Sequence, residues 1–297
     1  MENYGFNKEE MARLIKPFRM RVKTPLRYPG GKSRAIKFLN QHLPNTVCNY
    51  REPFLGGGSM ALWIAQRWPQ SNIWVNDAHW PLYAFWSQLQ ARGTEMAKEL
   101  EDIKYQTLAY PDAQRELFKN AKLGLESSDE YEAAKNFYIV NKCGFSGLAS
   151  TFSQQAYDGN FTLNSIKKLR TVETLIQEWS ITNHDYRDVI YGAWGDIEKE
   201  QFTFLDPPYD IKSNLYGKDG KWHKGFDHVE FHKQVQGIPG DWMITYNSNK
   251  NILDMWDSFT LLEWDLTYTM RSTGTYNQDQ KQRKELLITN YKSDIIK

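Results

Sequence analysis

The sequence predicts an α/β protein built on a doubly wound sheet and interrupted by a long helical block. Two observations carry that expectation. Over residues 47–77 a short apolar stretch meets a glycine-rich loop, then an amphipathic helix, then a second apolar stretch that ends in an acid. This order opens a parallel sheet. After residue 178 strand-like stretches return, following about a hundred residues with helical periodicity and no convincing β alternation.

The elements follow in order. Residues 8–20 read as a short basic helix, and "SRAIKFLNQHL" (33–43) as a helix. "VCNYREPF" (47–54) is a strand running into the glycine loop, "GSMALWIAQRW" (58–68) the next helix, and "NIWVND" (72–77) a second strand. In the helical block, "SSDEYEAAKNFYIVNK" starts with a Ser/Asp cap, the loop "CGFSGLAS" follows, and "LNSIKKLRTVETLIQEW" is another helix. Strands are then expected at "EWSITN" (178–183), "FTFLD" (202–206), "WMITYN" (242–247), "FTLLEWDLTY" (259–268) and "ELLITNY" (285–291). The last two flank a polar loop and are expected to be antiparallel.

Composition narrows the function classes. The 297 residues suffice for a large α/β domain with a smaller one, and 40% hydrophobic against 25% charged residues is an ordinary globular balance. Cys48 and Cys143 are isolated, with no metal-binding spacing and no disulfide framework. With no signal-like and no membrane-length apolar run, a soluble, cytoplasmic protein is expected. The net charge of +1 hides an asymmetry: Lys8, Arg13, Lys16, Arg19, Arg21, Lys23, Arg27, Lys32, Arg34 and Lys37 are opposed over that span only by Glu9 and Glu10. Such a block suits a polyanion such as nucleic acid, or else is a solvated helix face.

"EPFLGGGS" (52–59) lies between a strand and a helix, where glycines allow a tight turn and close approach to a ligand. Asp77 follows about 20 residues on, a spacing that suits a carboxylate on ribose hydroxyls. Together they point to a nucleoside cofactor; alone the loop is a tight turn. It is not the GxGxxG of nicotinamide sites. "PGGKS" (29–33) lacks the first glycine of a P-loop, which disfavours ATP.

The strand at 202–206 ends in Asp206-Pro207-Pro208-Tyr209. An exocyclic amine of a nucleobase is a poor nucleophile because its lone pair is delocalised into the ring. Asp206 and the carbonyl of Pro207 can accept its hydrogens, Pro207 and Pro208 fix where that carbonyl points, and Tyr209 can stack on an extruded base. Acceptors preorganised at developing positive charge mirror an oxyanion hole. The plain alternative is a strand stop with two turn prolines.

With these residues in view, the chain resembles the Dam-like S-adenosylmethionine-dependent DNA N6-adenine methyltransferases, in the α arrangement of motifs. "PLRYPGGKSRAIKFLNQHLP", "REPFLGGGSMALW", "NKCGFSGLAS…DGNFTLN", "LDPPY" and "RKELLITNY" carry the resemblance, from about residue 25 to 292. It implies a Rossmann-like class I methyltransferase mixed sheet with an inserted helical target-recognition subdomain. Residues 20–82 would be the cofactor-binding part of the catalytic domain, 83–178 the recognition subdomain and 179–297 the catalytic part. S-adenosyl-L-methionine would be the cofactor and double-stranded DNA the partner, with no metal and no membrane. Tyr28, Gly30 and Lys32 would border the cofactor pocket. Glu52, Phe54, Gly56 and Gly58 would cradle the donor's methionine part, Asp77 its ribose, and Asp185 and Tyr186 its adenine, with Asp206 beside it. Asp206, Pro207, Pro208 and Tyr209 would serve catalysis on the flipped base.

For DNA, the resemblance implies Arg27 near the bases, Phe145 as a wedge beside the extruded base within a loop that includes Ser146, Leu148 and Ser150, and Arg271, Lys281 and Arg283 on phosphates. Ser150 stands where GATC-reading members carry an arginine, and a serine cannot make the bidentate contact to guanine. A GATC site is therefore not implied. Cytosine-N4 methylation and a DNA-binding relative without catalysis remain the alternatives, although Asp at the motif's first position favours adenine. His228 and His232 flank Glu230 in the order HxExH, which is not a metalloprotease motif. The run "HWPLYAFWSQL" (79–89) reads as a core-facing helix start.

Overall fold

A computed structural model describes residues 21–28, 30–145, 151–192, 201–209, 225–265 and 284–292. The expected basic helix at 8–20 and the end of the strand expected at 259–268 lie outside these residues.

Among the described residues, seven strands form one sheet: β1 (Asn49–Glu52), β2 (Asn72–Asn76), β3 (Ser180–Thr182), β4 (Gln201–Leu205), β5 (Asp241–Asn247), β6 (Thr260–Asp265) and β7 (Lys284–Thr289). Their order is β3-β2-β1-β4-β5-β7-β6. β1 to β5 are mutually parallel, and β7 runs antiparallel to both β5 and β6, as expected for the last two strands. The central strands β1 and β4 are buried along their whole length, which is why "QFTFL" reads as a nearly continuous apolar run.

Alternation along the strands sorts side chains onto two faces. Tyr50, Ile73, Val75, Phe202, Phe204, Met243 and Leu287 join one cluster with α2 (Ser59–Arg67) and the helical block. Leu205, Ile244, Tyr246, Leu286 and Ile288 join the other, against α8 (Tyr186–Tyr191), α9 (His228–Val235) and α10 (Lys250–Met255).

The block between β2 and β3 contains α3 (Trp80–Thr107), α4 (Pro111–Leu123), α5 (Glu130–Cys143), α6 (Gln154–Asn160) and α7 (Leu163–Leu175). α3 packs along α5 and α7 and bends at Arg92, where φ is −142° and ψ 30°. Its first turns bury Leu82, Ala84, Phe85, Trp86 and Leu89, so the tryptophan-rich run is core. Asp129 caps α5 by accepting from the N–H groups of Tyr131 and Glu132, and Thr162 with Ser165 forms a capping box on α7.

The helix expected at 33–43 is broken instead. A 3₁₀ turn at Lys32–Arg34, a short α1 at Ile36–Leu39 and a second 3₁₀ turn at Asn40–His42 take its place. No side chain caps the start, and the segment is held by burying Lys32, Ile36, Leu39 and His42 rather than by helical propensity.

Candidate active site

Strand order reverses between β1 and β4, and in such sheets ligands bind outside the carboxyl ends of the strands at that point. Three acids stand there: Glu52 closes β1, Asp77 follows β2 and Asp206 follows β4.

Asp206 is oriented by two donors from distant segments. Lys32 Nζ donates to Oδ2 at 2.6 Å and Thr245 Oγ1 to Oδ1 at 2.7 Å. Lys32 is 4% exposed and Asp206 21%. The ammonium also donates to the Gly30 carbonyl at 2.7 Å and lies 5.0 Å from the Tyr209 ring centre. Each carboxylate oxygen keeps acceptor capacity for a further donor. Pro207 is buried, and Pro208 and Tyr209 are half-buried. The Tyr209 hydroxyl donates to Glu285 at 2.6 Å, and its ring lies 6.0 Å from Tyr246, whose hydroxyl is 2.6 Å from His228 Nδ1.

The glycine loop is shaped from within. Gly56 and Gly58 have φ of 50° and 64°, where residues with a Cβ are strained. A Cβ on Gly56 would lie 2.9 Å from the Tyr28 ring, and one on Gly58 2.6 Å from the Trp86 ring. Trp86 Nε1 donates to the Gly56 carbonyl at 3.1 Å. The sequence explains these glycines by the approach of a ligand, whereas the structure adds the approach of the protein's own aromatics. Asp77 closes the loop, accepting from Gly56 N at 2.9 Å and His79 N at 3.0 Å. Desolvation pushes its carboxyl up to about 6, against these two hydrogen bonds. Phe54 extends the other way, with its ring 5.3 Å from Tyr186 and 5.9 Å from Phe226.

Glu52 is buried and accepts from the Tyr50 hydroxyl at 2.6 Å. Burial pushes its carboxyl up to about 8; the charge of Asp206 adds to this, while the bonds from Tyr50 and Ala61 N and the charge of Lys32 oppose it. A carboxyl raised in the folded state takes up a proton on folding. Its contribution to stability is full below the ordinary carboxylate range and is lost as pH rises toward about 8. Wild type is therefore expected to lose ~3–5 kcal/mol relative to Glu52→Gln between about pH 5 and about pH 8. Denaturant titrations at both pH values measure this, and equal losses in both proteins would mean that Glu52 is ionised throughout.

The other expected site residues fall in two places. Arg27 Nη1 donates to the Gly144 carbonyl at 2.9 Å, and the Asn141 side chain bonds both the N–H and the carbonyl of Arg27, at 2.9 and 2.8 Å. Phe145 follows at once, 52% exposed. Thus Arg27 and Phe145 meet at the end of α5. Asp185, by contrast, caps α8 and holds the Arg187 guanidinium at 2.7 and 2.9 Å, which keeps its carboxyl below the usual range. Ser146, Leu148, Ser150, Arg271, Lys281 and Arg283 lie outside the described residues, as do Lys8, Arg13, Lys16 and Arg19. His232 packs edge-on against Trp256 at 4.6 Å. Among the described residues, no group of three or more His, Cys, Asp or Glu is placed to hold a metal, and no helix is long and apolar enough to cross a membrane.

Residues 28–270 match the family of D12 class N6 adenine-specific DNA methyltransferases. The chain belongs to that family. This D12 enzyme methylates adenine in DNA, and the seven-stranded mixed sheet is consistent with a Rossmann-like methyltransferase fold. Type II methyltransferase M1.LlaDCHI of Lactococcus lactis subsp. cremoris is 23% identical over 300 residues, covering 94% of this chain and 99% of that protein. Type II methyltransferase M.CviBI of Paramecium bursaria Chlorella virus NC1A is 20% identical, covering 91% and 100%. Type II methyltransferase M.MjaIII of Methanocaldococcus jannaschii is 22% identical over 206 residues, covering 64% and 70%.

Sequence reasoning missed Thr245 and Glu285 as the partners of Asp206 and Tyr209, and the hydrogen-bonding roles of Asn141 and His228. The signal for the first two was present: a hydroxyl in the middle of "WMITYN" and an acid at the head of "ELLIT", each in an otherwise apolar strand, with 0% and 3% exposure. A polar group so placed must find a partner.

Proposed function

We propose that this D12 enzyme transfers a methyl group from S-adenosylmethionine to the N6 amine of an adenine turned out of double-stranded DNA, with Asp206 as the acceptor that prepares the amine. The observation that carries the reading is the Asp206 carboxylate, held between Lys32 and Thr245 at the carboxyl end of β4.

The chemistry of the donor set fits the methyl donor. Asp77 is half-buried, and beyond the two backbone N–H groups it accepts from, its oxygens keep lone pairs for ribose hydroxyls. Glu52 offers a carboxyl group that would ionise on meeting the donor's ammonium, Tyr28, Gly30, Lys32, Gly56 and Gly58 border the methionine part, and Phe54 with Tyr186 supplies an apolar wall for the adenine. The bound donor supplies an electrophilic methyl group on a sulfonium. Asp206 accepts one hydrogen of the target amine in a hydrogen bond, the Pro207 carbonyl accepts the other, and the nitrogen lone pair is freed toward the methyl. With the donor bound, the amine nitrogen would take the methyl while the sulfonium leaves as a neutral thioether, and the proton then lost by the nitrogen would pass through Asp206 to solvent. Tyr209 stacks on the extruded base and Pro208 stiffens the turn between them.

The helices α3–α7 serve as the recognition subdomain. Arg27 and Phe145 enter the DNA at the end of α5, and Ser146, Leu148, Ser150, Arg271, Lys281 and Arg283 contribute the remaining contacts.

Unmodified DNA incubated with S-adenosylmethionine and the enzyme, then digested to nucleosides and weighed, should yield N6-methyladenine. N4-methylcytosine instead would overturn the acceptor, and no methylated nucleoside would overturn the reading as a whole. Within it, Thr245→Val keeps shape and removes one donor to Asp206, so turnover is expected to fall roughly tenfold with the melting temperature little changed. Turnover equal to wild type would remove Thr245 from the catalytic machinery.

A further inference from the structure

Tyr209 raises a question that stacking does not answer. A phenylalanine stacks on a base equally well, yet the Tyr209 hydroxyl is engaged at 2.6 Å by Glu285, a carboxylate only 3% exposed. Burying a carboxylate is costly unless it is well hydrogen-bonded. A short O–H···O⁻ bond is among the stronger kinds and fixes the direction of both partners.

The location of Glu285 shows what it can fix. β7 places it opposite Asn247 of β5 and opposite Trp264 of β6. Residues paired across antiparallel strands share a face, so Glu285 stands on the same face as Thr245, the donor to Asp206. One sheet face thus presents a hydroxyl to the first residue of the DPPY motif and a carboxylate to the last. The two prolines fix φ at positions 207 and 208, and the Tyr209 side-chain torsions are among the freedoms that remain. Glu285 holds the hydroxyl end, while Lys32 Nζ at 5.0 Å and the Tyr246 ring at 6.0 Å flank the ring.

We propose that Glu285 is a positioning residue: its carboxylate anchors the Tyr209 hydroxyl so that the ring is already aimed when the adenine arrives, and the hydroxyl serves to be held rather than to touch the base. This rests on the reading of Tyr209 as the stacking residue.

Four variants test it: Glu285→Gln, which keeps an acceptor; Glu285→Leu, which does not; Tyr209→Phe, which removes the donor; and Tyr209→Ala, which removes the ring. Two quantities are read. One is the kinetics of methyl incorporation into DNA. The other is the emission of 2-aminopurine placed at the target position, mapped beforehand from methylated DNA, because stacking quenches that emission. Glu285→Gln is expected to stay within about threefold of wild type. Glu285→Leu and Tyr209→Phe should each lower kcat by roughly ten- to a hundredfold with a smaller change in the KM for the donor, as misplacement of a reacting group does, and should raise 2-aminopurine emission alike. The double variant should be no worse than either single one, since both remove the same bond.

Tyr209→Phe retains the carboxylate and tests the bond even if Glu285→Leu fails to fold. Losses that multiply in the double variant, or a Tyr209→Phe enzyme that equals wild type while Tyr209→Ala is impaired, overturn the role of Glu285 alone. A Tyr209→Ala enzyme with unchanged turnover and unchanged emission overturns the stacking assignment, and the proposal with it.

Discussion

Asp206→Ala is expected to lower turnover by roughly 10²-fold or more while leaving binding of S-adenosylmethionine near that of wild type. The size follows from the role: an acceptor fixed in advance at the place where positive charge develops acts most strongly in the transition state, and loss of one such group costs about 10²–10³. The carboxylate is also half of a partly buried ion pair with Lys32 at 2.6 Å. The alanine variant leaves that ammonium buried with the Gly30 carbonyl as its remaining acceptor, so a loss of stability of up to ~3–5 kcal/mol should accompany the loss of activity. Asp206→Asn separates the two effects. It keeps an oxygen for the Thr245 hydroxyl but removes the charge, so it should melt closer to wild type and still be severely impaired. Single-turnover methyl incorporation, calorimetric donor binding and thermal melting are the three measurements. Turnover within about threefold of wild type would show that Asp206 is not the acceptor.

The second large effect is expected at Gly58. Valine there meets two independent obstacles: a φ of 64°, which costs a β-branched residue at least ~1–2 kcal/mol, and a Cβ 2.6 Å from the buried Trp86 ring, whose displacement adds ~1–3 kcal/mol. A total of ~2–5 kcal/mol follows, with weakened donor binding if the loop borders the donor as proposed. Gly159→Ala is the control. Nothing lies within 4 Å of a Cβ at that glycine inside α6, and alanine there should be neutral or slightly stabilising. Denaturant unfolding of both variants decides the matter. A Gly58→Val protein as stable as wild type would mean that Trp86 is not clamped as the structure has it.

The sheet and its ligand end were legible in the sequence because they follow from local patterns. The expected strands run into Glu52, Asp77 and Asp206, and each acid does lie at the carboxyl end of its strand. The broken helix at 32–42 was not legible, since apolar periodicity is the same for an α-helix and for a segment held only by tertiary burial. Partners were harder still. Alternation shows that Thr245 is buried but not that it meets Asp206, 39 residues away, and nothing local in "RKELLITNY" links Glu285 to Tyr209 across 76 residues. Asp185, expected at the donor's adenine from the resemblance alone, has two roles that no motif suggested: it caps α8 and pairs with Arg187.

The Lys32–Asp206 bond spans 174 residues, whereas the side-chain bonds that tie α3 to α5 and α7 span 32 to 79. Closing so long a loop costs entropy that only a nearly complete sheet repays. In kinetic terms, the Asp206 carboxylate is expected to reach Lys32 and Thr245 late in folding. Return of activity on refolding should therefore lag the return of helical signal, and the two recovering together would contradict that order.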